Sequence, residues 1–221
     1  MVDHTRALVR TRPGAVKAPL LFVGGTLNTA RLSLEPLTPA HAPLMYAGFA
    51  EADLYRWINA EPPVSVDDLK LRFERIANPY APRGELWLNW ALRRMSPPGR
   101  PKGEYRSAER EGYPMTDSVY VGLVEATVRP DRIVFLAYYV FTAHARQGFA
   151  REACTAVIEH LWRAYDATEV RADIDFRNVP SRCLVESLGF ARRARNIVTT
   201  LRGAPSVDCR YRLRRRGPPI R

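Results

Sequence analysis

The sequence predicts an α/β (α+β) fold in which helices pack on a mixed central sheet. Three observations carry that prediction. Small or apolar residues at 150, 153, 154, 157, 158 and 161 keep the 3.6-residue period, so residues 148–165 form one long amphipathic helix. Seven runs with strand composition lie on both sides of it. Interleaved with shorter helix signals, they give the order β-α-α-β-β-β-α-β-α-β-β, with no repeat and no second core.

Residues 1–26 are rich in Pro, Gly and Arg without periodicity and read as a flexible basic arm. Residues 31–36 alternate polar and apolar and form the first strand. Thr38 and Pro39 then open a helix as N-cap and first helical residue. A second helix starts at the capping signal of residues 65–68. It continues through Val66, Leu69, Phe73 and Ile76 until Pro79 stops it. Strands follow at 85–94, 118–128 and 132–141, the last two joined by the tight turn of residues 129–131. Residues 96–117 hold four prolines and three glycines and read as a long inserted loop. After the long helix come a strand at 170–175, a short helix at 181–188 stopped by Gly189, and two strands at 196–201 and 207–213. The domain therefore covers 27–214, with a basic tail at 215–221.

Bulk properties narrow the function. With 26% charged and 10% aromatic residues in 221, the chain is no disordered segment, and it can bury a sizeable core. No apolar run reaches the roughly 18 residues that span a bilayer. The apolar stretch 20–23 is too short for a signal-peptide core, so a cytoplasmic protein without membrane contact is expected. Cys154, Cys183 and Cys209 are dispersed and show no metal-ligand spacing, so neither a metal nor a disulfide framework is expected. The net charge of +11 is concentrated: residues 191–221 hold ten arginines against Asp208 alone. Such an end suits nucleic acid, an acidic ribosomal surface or a polyphosphate cofactor.

Two segments carry chemistry. The first, 139–153, joins a strand to the long helix through a turn at Gly148. Free amides and the positive dipole end at a helix start attract anions. Glycine lets a diphosphate approach the backbone closely, and Arg146 and Arg151 add charge. Taken alone, Gly148 also reads as a residue that eases a strand–helix connection. The second segment, 175–190, places Asn178 at a strand end and Ser181 three residues later. Leu184, Leu188 and Phe190 supply its apolar side. Alone, Asn178 and Ser181 also read as turn and cap residues.

Together the segments resemble the GNAT superfamily of N-acetyltransferases. Its phosphate loop has the form Arg/Gln-x-x-Gly-x-Gly/Ala, matched by Gly148 and Ala150. Its later motif, Asn-x-x-Ser-x-x-x-Leu-Glu-x-Leu-Gly-Phe, is matched by Asn178, Ser181, Glu186, Leu188, Gly189 and Phe190. Residues 28–214 also resemble, in order, the branch that includes the ribosomal-protein (RimJ/RimL-like) N-acetyltransferases, which begin with a Thr-x-Arg-Leu-x-Leu-x-Pro strand like residues 29–36. The chain departs from the pattern at Ala145, where the family often has Arg, Gln or an aromatic residue.

The resemblance implies a GNAT fold with a splayed strand pair and an acetyl-CoA co-substrate, or another acyl-CoA, lying between those strands. The backbone of Tyr139, Val140 and Phe141 would meet the pantetheine arm. The amides of Arg146, Gln147, Gly148, Phe149, Ala150 and Arg151 would meet the diphosphate. Asn178 would bond the arm or a water, and Ser181 would lie near the sulfur. Ser181, with Tyr138 as substitute, would protonate the leaving thiolate, and Glu125 would be the base; His144, at the start of the loop, is assigned to the surface. Tyr55, Arg56 and Trp57 would shape the acceptor wall. The acceptor would be a protein N-terminus or a small-molecule amine; a homodimer and RNA or ribosome contact through the arginines are further expectations. Two rival readings share the fold: an aminoacyl-tRNA-dependent transferase and a non-catalytic RNA- or ribosome-binding module.

Overall fold

The computed structural model describes residues 25–95, 119–193 and 197–215. Its strands are β1 (Leu27–Asn28), β2 (Leu32–Pro36), β3 (Leu86–Arg94), β4 (Val119–Val128), β5 (Ile133–Val140), β6 (Glu169–Asp175), β7 (Ala191–Arg192), β8 (Ile197–Leu201) and β9 (Ala204–Arg214). Its helices are α1 (Ala42–Phe49), α2 (Val66–Ala77), α3 (Phe149–Ala164) and α4 (Val179–Ser187). The arm at 1–26, the insertion at 96–117 and the tail at 215–221 fall almost wholly outside the described residues.

The strands form one sheet in the order β1-β2-β3-β4-β5-β6-β9-β7, with β8 paired to β9. All neighbours are antiparallel except β5 and β6. Alternation along the strands gives the sheet two apolar faces. On one, Trp90, Leu92, Val121 and Val124 pack with Phe149, Cys154, Val157 and Leu161 of α3 and with Val185 of α4. On the other, Ala91, Leu123 and Phe141 pack with Met45 and Phe49 of α1 and with Leu69 and Phe73 of α2. The sheet is thus a partition, and a site can be reached from either side of it.

Local chemistry accounts for most boundaries. Ser65 accepts the Asp68 amide at 3.1 Å and starts α2 as its capping signal predicts. The 129–131 turn closes the β4–β5 hairpin through Arg129 N–H to the Ile133 carbonyl, 3.0 Å. Two predictions are corrected. The short helix begins at Val179, two residues early, because the Asn178 side chain caps it and Pro180 suits its first turn. The first helix keeps Thr38 as N-cap and Pro39 as its first residue, but its opening turn, Pro39–His41, is 3₁₀ before α1 begins. The two-residue strands β1 and β7 are too short to leave a periodic signal.

Candidate active site

Strands β5 and β6 pair at only three positions, Ile133 with Glu169, Val134 with Val170 and Phe135 with Arg171, and then part. A crevice of about 130 Å³ opens where they separate. Tyr138 and Tyr139 line one wall, Ile174 and Asp175 the other, and Asn178 and Ser181 one end. Trp57 and Ile58, from the α1–α2 connection, also line it.

The register decides which β5 backbone groups face this gap. Phe141 N–H donates to the Val121 carbonyl and Arg129 N–H to the Ile133 carbonyl, so odd-numbered residues of β5 bond β4. Tyr138 and Val140 therefore turn their backbone groups toward the crevice, whereas those of Tyr139 and Phe141 are committed to β4. Of the three residues expected to meet the pantetheine arm, Val140 is the one whose amide faces the crevice. Gly122, opposite Val140, permits this close pairing: a Cβ there would come within 2.0 Å of the Tyr139 carbonyl oxygen.

At the head of α3, Gly148 is the N-cap with φ +84°, and Arg146 is also left-handed at φ +59°. The amides of Phe149, Ala150 and Arg151 open the helix and have no acceptor within it. The side chains of Arg146, Gln147 and Arg151 are exposed, while the Phe149 ring is buried, so only the backbone of Phe149 is available to a ligand. Behind the turn, Arg31 Nε donates to Glu152 Oε2 at 2.7 Å, and Arg31 Nη1 donates to the Gln147 carbonyl at 3.0 Å. The Thr29 hydroxyl and the Arg31 amide both donate to Glu152 Oε1, at 2.6 and 2.8 Å. The sequence marks Thr29 and Arg31 only as the start of a strand; nothing local connects them to Glu152, more than 120 residues away.

Two hydroxyls meet at the crevice end. The Tyr138 Oη and Ser181 Oγ atoms are 2.6 Å apart, and Tyr138 Oη is 3.1 Å from the Ser181 carbonyl. If Tyr138 donates to the carbonyl, Ser181 donates to Tyr138. Burial raises the Tyr138 phenol well above its ordinary value, so it stays protonated. Asn178 Oδ1 accepts the Ser181 amide at 3.2 Å, the capping role; its Nδ2 donors meet no acceptor among the described residues.

On the other face of the sheet lies a second cavity of about 230 Å³. Phe49, Leu69 and Phe73 wall it, Glu125 and Tyr55 reach into it, and Arg72 and the exposed Arg75 line it as well. Tyr139 and Ile58 line both cavities, so the two adjoin. Burial raises the Glu125 carboxyl to about 7, against a stabilising hydrogen bond from Tyr139. Burial raises Tyr55 to about 12. The predicted acceptor wall divides: Tyr55 lines the second cavity and Trp57 the crevice. Arg56 enters neither; it is exposed, with its guanidinium 5.0 Å from the Trp57 ring centre. His144 lies half-buried after β5, with its ring 6.5 Å from Phe149.

These features fit a thioester of coenzyme A. A gap between parted strands suits an extended arm, and a left-handed glycine before free helix amides suits a diphosphate. Among the described residues, no group of His, Cys, Asp or Glu could hold a metal ion, and no helix is long and apolar enough to cross a membrane.

Known proteins give the same reading. The acetyltransferase (GNAT) domain model matches residues 31–191. No curated protein matches the chain. Among solved structures, RimL, a ribosomal L7/L12 α-N-protein acetyltransferase in complex with coenzyme A, aligns with TM-score 0.68 at 12% identity, over 86% of this chain and 98% of that one. An acetyl transferase from Salmonella typhimurium that modifies the N-terminal serine of 50S subunit protein L7/L12 aligns with TM-score 0.68 at 12% identity, over 87% and 100%. The spermidine N-acetyltransferase of Vibrio cholerae, solved with CoA and spermine, aligns with TM-score 0.64 at 14% identity, over 84% and 96%. At these identities the likeness is one of fold, and the family match covers most of the chain. The chain belongs to the GNAT acetyltransferase family and is an acetyl-CoA-dependent N-acetyltransferase.

Proposed function

We propose that the acetyl donor lies in the β5–β6 crevice and that a primary amine, from a protein N-terminus or a small molecule, enters through the Glu125 cavity. The observation that carries this reading is the adjacency of the two cavities across Tyr139 and Ile58. Acetyl-CoA supplies an activated thioester carbonyl; the roles that follow belong to the protein.

Glu125, ionised above about pH 7, accepts the proton of the attacking amine, directly or through one water. The Tyr139 hydroxyl donates to that carboxylate and fixes its orientation. The Val140 amide, turned toward the crevice, stabilises negative charge as it builds on the carbonyl oxygen. The Tyr138–Ser181 hydroxyl pair supplies a proton to the departing sulfur. The amides of residues 146–151, with Arg146 and Arg151, hold the diphosphate, and Asn178 Nδ2 donates to the pantetheine arm. Tyr55 shapes the acceptor side, and Trp57 closes the crevice.

Calorimetric titration with acetyl-CoA at two salt concentrations, followed by thiol release with a panel of primary amines, tests the reading. Acetyl-CoA binding with amine-dependent thiol release is expected. Salt-sensitive tRNA binding without acetyl-CoA affinity would overturn it.

A further inference from the structure

The turn before α3 is held from outside its own element. We infer that the Arg31–Glu152 pair is a latch that sets the affinity for the diphosphate of acetyl-CoA, with Arg31 as the positioning residue. The inference rests on the proposed diphosphate seat at residues 146–151.

Glu152 sits in the first turn of α3. A carboxylate there suits the helix dipole but would repel a diphosphate bound to the same amides. It is also mostly shielded, with a side chain 17% exposed, and its hydrogen bonds hold its carboxyl below the usual range, so it stays ionised. Its charge must therefore be answered by the protein. Arg31 answers it with Nε and Nη2, each 2.7 Å from Oε2, while its own amide and the Thr29 hydroxyl saturate Oε1. Two guanidinium donors thus converge on one carboxylate oxygen, and such charge-assisted hydrogen bonds are shorter and stronger than neutral ones.

The same guanidinium reaches the turn itself. Arg31 Nη1 takes the Gln147 carbonyl, so that oxygen is drawn to the latch and not left facing an incoming phosphate. The guanidinium also lies 4.7 Å from the Phe149 ring centre, and a Cβ added at Gly148 would stand 3.3 Å from Nη2. One side chain from the β1–β2 turn thus bonds the backbone at Gln147, lies over the Phe149 ring, and leaves little room for a side chain at Gly148 between them. It brings a fixed cation to a turn whose first motif position is Ala145 and so offers no polar side chain.

The test compares two acetyl donors on the intact protein: acetyl-CoA, and the acetyl thioester of N-acetylcysteamine, which lacks the diphosphate. Arg31→Ala is expected to raise the Kd and KM for acetyl-CoA about tenfold or more, with kcat at saturation within about twofold. Its activity with the short donor should stay at the wild-type level. Arg31→Ala/Glu152→Gln should recover part of the lost affinity, because the unanswered carboxylate is gone. An unchanged Kd for acetyl-CoA in Arg31→Ala would overturn the latch. So would an equal loss with the short donor, or a double variant no better than the single, since either marks a merely structural role. Wild-type protein that fails to bind acetyl-CoA at all would instead overturn the underlying seat.

Discussion

Glu125 concentrates the chemistry at the scale of single residues. Its carboxyl is raised from 4.5 to about 7 by burial, with Tyr139 as its hydrogen-bond partner. kcat/KM should therefore rise with pH through about 7, and Glu125→Gln should lose that limb together with roughly 10²-fold or more of the rate. A pH–rate profile of both proteins checks this; an inflection near 7 that persists in the variant, distinct from the amine's own deprotonation at higher pH, contradicts it. The same shift carries a stability consequence. Below the unfolded value the group is neutral in both states and costs nothing; the penalty grows as pH rises and is complete above about 7. Glu125→Gln should thus raise Tm at about pH 9 and leave it unchanged at about pH 4, by a free energy of at most about 3 kcal/mol. The Tyr138 and Ser181 hydroxyls make a second prediction. Because they bond each other, Tyr138→Phe and Ser181→Ala should each lower a chemistry-limited kcat about tenfold or more, and the double variant should fall no further than the worse single. Additive losses would separate their roles.

The elements explain what the sequence could and could not reveal. Helix α2 was legible because Ser65 and the apolar positions 66, 69, 73 and 76 act within one helix, where spacing alone reports geometry. The Gly148 turn was legible for a similar reason: a strand, a glycine and a helix start are local. Its left-handed N-cap at φ +84° makes the expectation testable. Gly148→Val forces a β-branched residue into that region and crowds Arg31; it should raise the KM for acetyl-CoA and lower Tm, by about 1–2 kcal/mol of strain. What stayed hidden depends on pairing between distant segments. Register alone tells that Val140, and not Tyr139 or Phe141, turns its amide toward the crevice. The Arg31–Glu152 contact likewise spans 121 positions, so no window along the chain contains it. Tyr55 and Arg56 differ in the same way: a one-residue step along the connection separates a buried Tyr55 in the second cavity from an exposed Arg56 that lines neither cavity.

For the whole molecule, the position of the charge matters more than its sum. The arginines near the end of the chain look in sequence like a free polyanion ligand. In the fold, Arg210 pairs with Asp173, Arg212 and Arg214 with Glu169, and Arg215 with Asp166. The Arg210, Arg212 and Arg214 pairs lie along the β9–β6 ladder, and the Arg210–Asp173 pair, between partly exposed charges, contributes little more than about 1 kcal/mol. Their acids lie in segments some forty residues earlier in the chain, so composition could not foretell these pairs. The sheet as a partition does follow from the element order. Its parting between β5 and β6 follows only from the three-residue overlap of their ladder. With acetyl-CoA as the donor, binding should weaken with salt as expected for a diphosphate on exposed amides and arginines.

The most direct test of this arrangement is a crystal structure of the intact protein with coenzyme A. The diphosphate should rest on the amides of residues 146–151, and the pantetheine arm should run between β5 and β6 with its sulfur beside Tyr138 and Ser181. Coenzyme A bound elsewhere, or a crevice closed by side chains with the nucleotide on another surface, would contradict the account.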